Sequence, residues 1–529
     1  MTNRCELTLT SDKPYTDPFN QIEVEVEFLD PQGNRWLVPA FWTGGQEWRV
    51  RYLPLSPGQH HYRWLCSDTT NPILHGTSGV LEVTPNADTN ELERHGRLRV
   101  AASKRHLEFA DGTPFFWLGD TWWLGLVERK GWGLPEFRQL AADRVAKGFT
   151  VIQIVAGLYP DLPPYDPRGF NKAGYPWEPA YARINPAYFD AADRRMATLV
   201  DAGLLPCIVA AWGYHLPWLG LARMKQHWRY LVARWGSYPV VWCLAGEATM
   251  PYYLSSQREA DAAFQKQGWT DIGRYVRALD PYHSPVTIHP CAGGRQDVED
   301  ESVLDMEMFG TGHGDWSSVP YHVKTITQAY ARVPPLPLIN AEVCYEGHMQ
   351  ANWQNVQRFM FWTGILSGAT SYTYGAGGIW QMNTREQPHG PSPQGWTYEN
   401  TPWDEAAQLP GARQLGLGKT LLTRYPWWRL QPMPDAVEPR WTPDNYFLPY
   451  AAGIPGQVRL VYIPARIYQA SGPRVKALEQ GVPYRAYYWN PIQGTAYDLG
   501  AITVDPDGSW QAPNTPLIQD WVLVLERQD

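Results

Sequence analysis

The chain has 529 residues, more than one hydrophobic core can organise, so two or three domains are expected. Its net charge is -8 and no basic run occurs, which speaks against a nucleic-acid partner. No apolar stretch reaches the roughly 18 residues of a membrane span, and the first ten residues lack an apolar leader with a small-residue cleavage site, so a cytoplasmic protein without a membrane partner is expected.

The 27 Trp and 30 Tyr exceed what a core needs. Their flat apolar faces and polar edges suit the C–H faces of sugar rings, although most must serve packing. The six cysteines, Cys5, Cys66, Cys207, Cys243, Cys291 and Cys344, show neither a Cys-x-x-Cys pair nor metal-ligand spacing. They read as reduced thiols, several of them buried, and no metal or cofactor is expected.

Residues 1–92 read as a β-sandwich. From Ile22 to Leu29 apolar and acidic residues alternate strictly, with Ile22, Val24, Val26 and Phe28 on one face and Glu23, Glu25 and Glu27 on the other. Further short strands follow, separated by turns such as Asp30 to Asn34, Gly44-Gly45 and Pro57-Gly58.

Residues 93–425 alternate between strand and helix, predicting an α/β fold built on a (β/α)8 barrel. Eight strands are predicted: Phe115–Gly119, Thr150–Val155, Leu204–Ala211, Val240–Ala245, Pro285–His289, Val303–Met308, Leu336–Ala341 and Ser371–Tyr374. Asn185-Pro186 opens a helix that Gly203 closes, with Phe189, Ala192, Met196, Leu199 and Val200 on its apolar face. Pro135 and Gly148 bracket another, and a third ends before Pro281. Residues 426–529 return to short strands, at Val458–Ile463, Tyr484–Trp489, Gly500–Val504 and Trp521–Leu525, predicting a C-terminal β-sandwich.

In such a barrel the site lies where the strands end. Those ends gather Asp120, Trp122 and Trp123; Tyr159 and Asp161; Trp212, Tyr214 and His215; Glu247; His289; Glu307 and His313; Glu342, Tyr345 and Glu346; and Tyr374 and Trp380. Glu247 and Glu342 each close a continuous apolar run, which holds a carboxylate rigidly at the rim of a core. Two such groups in different protonation states can cleave a glycosidic bond, one protonating the leaving oxygen and the other attacking or activating water. Glu247 and Glu342 are therefore the candidate catalytic residues. Asp120, Trp122, Trp212, His215, His289, Glu307, Tyr345, Tyr374 and Trp380 are the candidate carbohydrate-binding residues. Glu346, four residues on, is the local rival of Glu342. The long segment from Leu158 to Ala182, rich in Pro, Tyr and Gly, is expected to wall off one end of the mouth.

The stretch from Asp111 to Trp122 resembles the opening strand of the apiosidase-like glycoside hydrolases, and Asn340 to Gly347 resembles their seventh-strand motif. The segments Val38 to Trp42, Trp48 to Tyr52, Tyr488 to Gly494 and Asp520 to Leu525 are similar to the β domains that flank that barrel. The resemblance implies a retaining enzyme with Glu247 as acid/base and Glu342 as nucleophile. Two departures stand out. The wider superfamily places Asn before the strand-four acid, where this chain has Gly246, and apiosidase members also use Asp as the acid, where this chain has Glu247. The expected activity is a retaining, exo-acting glycosidase on terminal sugars of glycans or glycosides. The alternatives are a non-catalytic carbohydrate-binding protein, or a transglycosylase or endo-glycosidase on the same barrel. The sugar, whether furanose or pyranose, stays open.

Overall fold

In the computed structural model of the chain, residues 4–84, 90–465 and 472–528 are described. Residues 85–89, just before the expected first boundary, and 466–471, inside the expected C-terminal domain, lie outside them.

The alternation of residues 22–29 becomes strand Val24–Leu29, with Val24, Val26 and Phe28 buried. It lies in a four-stranded antiparallel sheet with Arg35–Pro39, Gly58–Cys66 and Ser78–Val83. A three-stranded sheet of Cys5–Thr10, Glu47–Tyr52 and Phe41–Gly44 faces it. Phe28 of one sheet stacks on Tyr52 of the other at 3.9 Å, so the two inner faces share one core. This unit is fixed to the barrel through helix His215–Trp235: Tyr230 donates to the Trp42 carbonyl at 2.8 Å, and Arg51 to that of Arg234 at 2.9 Å.

Eight parallel strands form the barrel, in chain order Trp117–Trp122, Val151–Leu158, Leu205–Ala211, Val241–Cys243, Val286–Thr287, Glu307–Gly310, Leu338–Glu342 and Ser371–Tyr374. The eighth pairs with the first, so the sheet closes on itself except between strands five and six. That seam is bridged by the Asp305 amide on the Val286 carbonyl at 2.8 Å and the Thr287 hydroxyl on the Met306 carbonyl at 3.1 Å. No full helix separates these two strands, only short 3-10 turns at Gly294–Gln296 and Glu301–Val303.

All eight predicted strands exist, but several shift toward their C-terminal ends. Pro114–Phe115 folds back against Leu107–Phe109, so the first barrel strand starts at Trp117 and reaches Trp122. A continuous apolar run does not mark where one sheet hands over to another. Val303 lies in a 3-10 turn, and strand six begins only at Glu307. The punctuated helices are Leu134–Ala146, Pro186–Asp201 and Arg258–Leu279. The face from Phe189 to Val200 is buried as its spacing required. Asn185, however, does not cap its helix. Its side-chain amide donates to the carbonyls of Ala173 and Tyr175, at 2.8 and 2.9 Å, and so braces the long segment after strand two.

The C-terminal strands form a six-stranded antiparallel sheet and a small three-stranded one. The strand expected at 500–504 is the hairpin partner Thr495–Ala501, entered through a turn with Gly494 at φ +76°. Arg358, on helix Gln354–Leu366, grips Asp520 through two buried bonds of 2.8 and 2.7 Å, fixing this sheet to the barrel.

Candidate active site

Strand four ends at Cys243, and Leu244-Ala245-Gly246 carries the chain to the rim. The Gly246 amide donates to Ala211 at 2.9 Å, and the Gly246 carbonyl accepts from Gly213 at 2.7 Å, so both its backbone groups are tied to the end of strand three. A Cβ on residue 246 would lie 2.2 Å from ring atoms of Trp212. Gly246 is therefore the residue that lets the Trp212 ring lie beside the strand, and an Asn there is sterically excluded. Glu247 then adopts φ +42° and turns its carboxylate to the Trp212 indole, which donates to Oε2 at 3.0 Å.

Glu342 is the last residue of strand seven. His313 Nε2 stands 2.9 Å from its Oε1, and His289 Nε2 stands 3.1 Å from its Oε2. His289 lies two residues past strand five, and its amide donates to the Ala245 carbonyl at 2.9 Å, placing it between the two glutamates. Its ring meets Trp123 edge-on at 5.1 Å and lies 6.0 Å from Trp212. Trp123 donates to the Tyr345 hydroxyl at 3.0 Å, and the Tyr345 ring lies 4.5 Å from His313. Glu247, Trp212, Trp123, His289, Glu342, His313 and Tyr345 thus form one continuous cluster.

The two carboxyl groups are driven apart in acidity. Burial, then the charges of Glu342 and Asp161, push Glu247 up to about 7 against the Trp212 bond that favours its ionised form. Burial alone would lift Glu342 as well, but the bonds and charges of His289 and His313 outweigh it and hold this carboxyl far below the usual range. His289 is raised in turn: burial would lower it, and Glu342 more than reverses that. Near neutral pH one glutamate can carry a proton while the other stays ionised, the division of labour that acid-assisted cleavage requires.

Of the predicted binding residues, Trp212, His289 and Tyr345 join this cluster, and Trp380 reaches its wall edge-on against Tyr398 at 5.2 Å. Five point elsewhere. Asp120 is fully buried under helix Leu134–Ala146, where Arg144 Nε donates to it at 2.5 Å and Trp122 Nε1 at 2.7 Å. Trp122 packs edge-on against Phe137 of that helix at 5.2 Å. Tyr374 donates to Glu346 at 2.6 Å on the same outer side. Glu307 begins strand six rather than ending it, and pairs with Arg295 at 2.9 Å. His215 is buried, with Nε2 3.0 Å from the Tyr159 carbonyl, and braces the loop after strand two. For Asp120, Trp122 and Tyr374 the cause is strand parity, since successive side chains face opposite sides and only one side faces the mouth; Glu307 stands at the far end of its strand, and His215 opens a helix. The local rival Glu346 also turns outward, accepting the Gly411 amide at 2.9 Å at the start of helix Pro410–Leu422.

Sequence reasoning took Trp122 where Trp123 faces the mouth, a choice that the apolar run alone does not decide. It gathered Asp161 and His313 at strand ends without giving either a task. Tyr253 and Tyr398 carried no signal, because both lie well out in irregular loops. Among the described residues no group of three or more His, Cys, Asp or Glu side chains is arranged to hold a metal, and no helix is long and apolar enough to cross a membrane.

Three solved structures show the same architecture. One is a glycoside hydrolase with 20% identity and a TM-score of 0.64, covering 82% of this chain and 97% of its own. A family 5 glycoside hydrolase from Bacteroides vulgatus has 18% identity and a TM-score of 0.67, with 82% and 94% covered. A putative glycoside hydrolase from the same organism has 16% identity and a TM-score of 0.72, with 99% and 98% covered. No curated protein matches. A family model described as a domain of unknown function (DUF5060) matches residues 3–67. The model of the apiosidase-like catalytic domain matches residues 101–429, well over half the chain and the whole of the barrel. On that match the chain belongs to the apiosidase-like family, which supports glycosidase activity.

Proposed function

We propose that this protein is a retaining, exo-acting glycoside hydrolase in which Glu247 is the acid/base and Glu342 the nucleophile. The observation that carries the reading is the opposed acidity of the two half-buried carboxyls. Glu342, ionised and aimed by two histidines, attacks the anomeric carbon. The bond to the leaving oxygen breaks as that oxygen takes the Glu247 proton. Forming the glycosyl ester removes the negative charge of Glu342, one of the influences that raised Glu247. Glu247 then becomes a better-ionised base, takes a proton from water, and the hydroxide formed displaces Glu342 from the sugar. The position of the pair, after strand four and at the end of strand seven, favours retention.

Exo action is supported by loops bonded across the mouth. Arg168, in the segment after strand two, donates to the carbonyls of His389 and Pro391 in the loop after strand eight, at 3.2 and 2.7 Å. Tyr253, from the loop after strand four, and Tyr398, from that after strand eight, both reach Asp161. Proton NMR of the first-formed sugar and product analysis on a defined oligosaccharide test both parts. Retention of the anomer and stepwise release of monosaccharide are expected. An inverted anomer, or internal fragments, would refute the corresponding part.

A further inference from the structure

Acid, base and nucleophile are accounted for, yet a third carboxylate stands beside them. Asp161 follows strand two, is 8% exposed and has left-handed backbone at φ 55°. Tyr253 donates to its Oδ1 at 2.6 Å and Tyr398 to its Oδ2 at 3.2 Å. Loops after strands two, four and eight therefore converge on this one carboxylate. Its charge acts on both Glu247 and Glu342.

Three buried carboxylates in the molecule are neutralised by arginine, Asp120 by Arg144, Glu307 by Arg295 and Asp520 by Arg358, while Glu346 accepts from Tyr374 and Gly411 and Asp297 from Thr249. Among the described residues Asp161 has no ion-pair partner, only the two tyrosine hydroxyls and the more distant influence of His348. His348 is itself committed to Glu399, with Nδ1 3.1 Å away. A buried carboxylate without a cation is costly to keep, and a packing role would be filled better by a neutral group. A carboxylate is a pure acceptor with about four lone-pair sites, and each tyrosine occupies one. What remains suits hydroxyl donors.

Building on the retaining-glycosidase reading, we propose that Asp161 determines specificity in the sugar pocket, accepting hydroxyl protons of a neutral sugar and rejecting sugars that carry a carboxylate. Acceptance follows from the free lone pairs. Rejection follows from the charge of Glu342 beside Asp161, whose pKa burial raises but which the Tyr253 and Tyr398 hydroxyls draw back toward its ionised form, and no lysine or arginine among the described residues pairs with Asp161 to form a carboxylate clamp.

The test uses the full chain and 4-nitrophenyl glycosides: the arabinofuranoside, xyloside and glucoside against the glucuronide. The wild type is expected to cleave at least one neutral glycoside and to leave the glucuronide untouched. Asp161→Asn should lower kcat/KM on the preferred glycoside about 10- to 100-fold, the range for a hydrogen bond to a charged group. On monodeoxy versions of that glycoside, one should lose about as much with the wild type and less than about threefold more with the variant. Substitution and deoxygenation then report the same contact. Glucuronide as the best substrate, or Asp161→Asn within threefold of wild type on every neutral glycoside, would overturn the proposal. Glu342→Gln separates it from the underlying reading: an active Glu342→Gln sinks that reading, whereas an inactive one beside a near-native Asp161→Asn sinks only the present inference. No turnover on any neutral glycoside would sink both. The glucuronide and deoxy comparisons with wild-type protein stand even if the variant does not fold.

Discussion

The barrel rim holds two acidic clusters, one inside the strands and one outside, and they are built on opposite principles. Outside, Asp120 is matched by Arg144, Tyr374 donates to Glu346, and the Gly411 amide donates to Glu346 as well. Inside, Glu247 and Glu342 face the mouth, share no arginine, and differ in acidity. Glu346 is also pushed up, to about 7, chiefly by burial, so a raised carboxyl by itself does not mark a reacting group. What separates the clusters is access and neighbours. Glu346 is sealed under a helix, whereas the side chain of Glu342 is 14% exposed and held by two histidines that can hand it to a substrate. Charge that is neutralised and enclosed serves the fold, and charge left partly open serves chemistry.

The sharpest way to break this contrast is to substitute the two glutamates four residues apart. Glu342→Gln should lower kcat by at least about 10³-fold through loss of the nucleophile, with the melting temperature nearly unchanged. Glu346→Gln should keep activity within a few-fold, since the amide oxygen still accepts the Gly411 N–H and the Tyr374 hydroxyl. Kinetics with the best aryl glycoside decide it, and the reverse pattern would exchange the roles of the two clusters.

Asp120→Ala attacks the outer cluster. It leaves the fully buried Arg144 with only Asp143 and the Ala407 carbonyl, which should cost up to about 3–5 kcal/mol of stability while the folded fraction stays active. Denaturant unfolding measures the first and active-site-normalised kinetics the second. Stability within 1 kcal/mol of wild type, or a catalytic loss with stability intact, would return Asp120 to the mouth.

Glu247→Ala tests the inner cluster from its other side. Glycosides with poor leaving groups should slow about 10²- to 10³-fold and activated aryl glycosides much less, because an activated leaving oxygen does not need the proton. Azide should restore part of the rate by attacking the glycosyl-enzyme where the base is missing. Equal losses on both substrate kinds, without rescue, would point to another acid.

The barrel was legible because its signals are periodic and local. Apolar runs marked all eight strands, and Pro, Gly and the 3.6-residue spacing marked the helices. The two glutamates were legible because each ends such a run. Which way a strand-end residue faces was not. The start of strand one moved by two residues, which keeps parity, so the apolar run carried no sign of whether Trp122 or Trp123 faces the mouth. Glu307 was placed at the wrong end of its strand, because Val303, Leu304 and Met306 are buried without all being strand. The loops were the least legible. Asp161, Tyr253 and Tyr398 come from three of them and meet only through tertiary packing, which no single-segment pattern encodes.

The smallest expected effect bears on why Gly246 stands where related barrels carry Asn. The Trp212 ring occupies the space an Asn would need, and its indole N–H is the bond that favours the ionised form of Glu247. Glu247 also faces Glu342, Asp161, His289 and the Cys291 thiol, all of which remain when Trp212 is changed. Trp212→Phe keeps an aromatic ring but removes the donor. Ionised Glu247 then loses a stabilising contact, so its pKa must rise from about 7, and the alkaline limb of kcat/KM, where the acid loses its proton, must move to higher pH. One lost bond to a charged acceptor is worth about 1.5–3 kcal/mol, or roughly one to two pH units. A limb that stays in place would mean that the indole only fills space. A limb that moves to lower pH would mean that Trp212 favours the protonated acid, contrary to the geometry in which its N–H points at Oε2 from 3.0 Å.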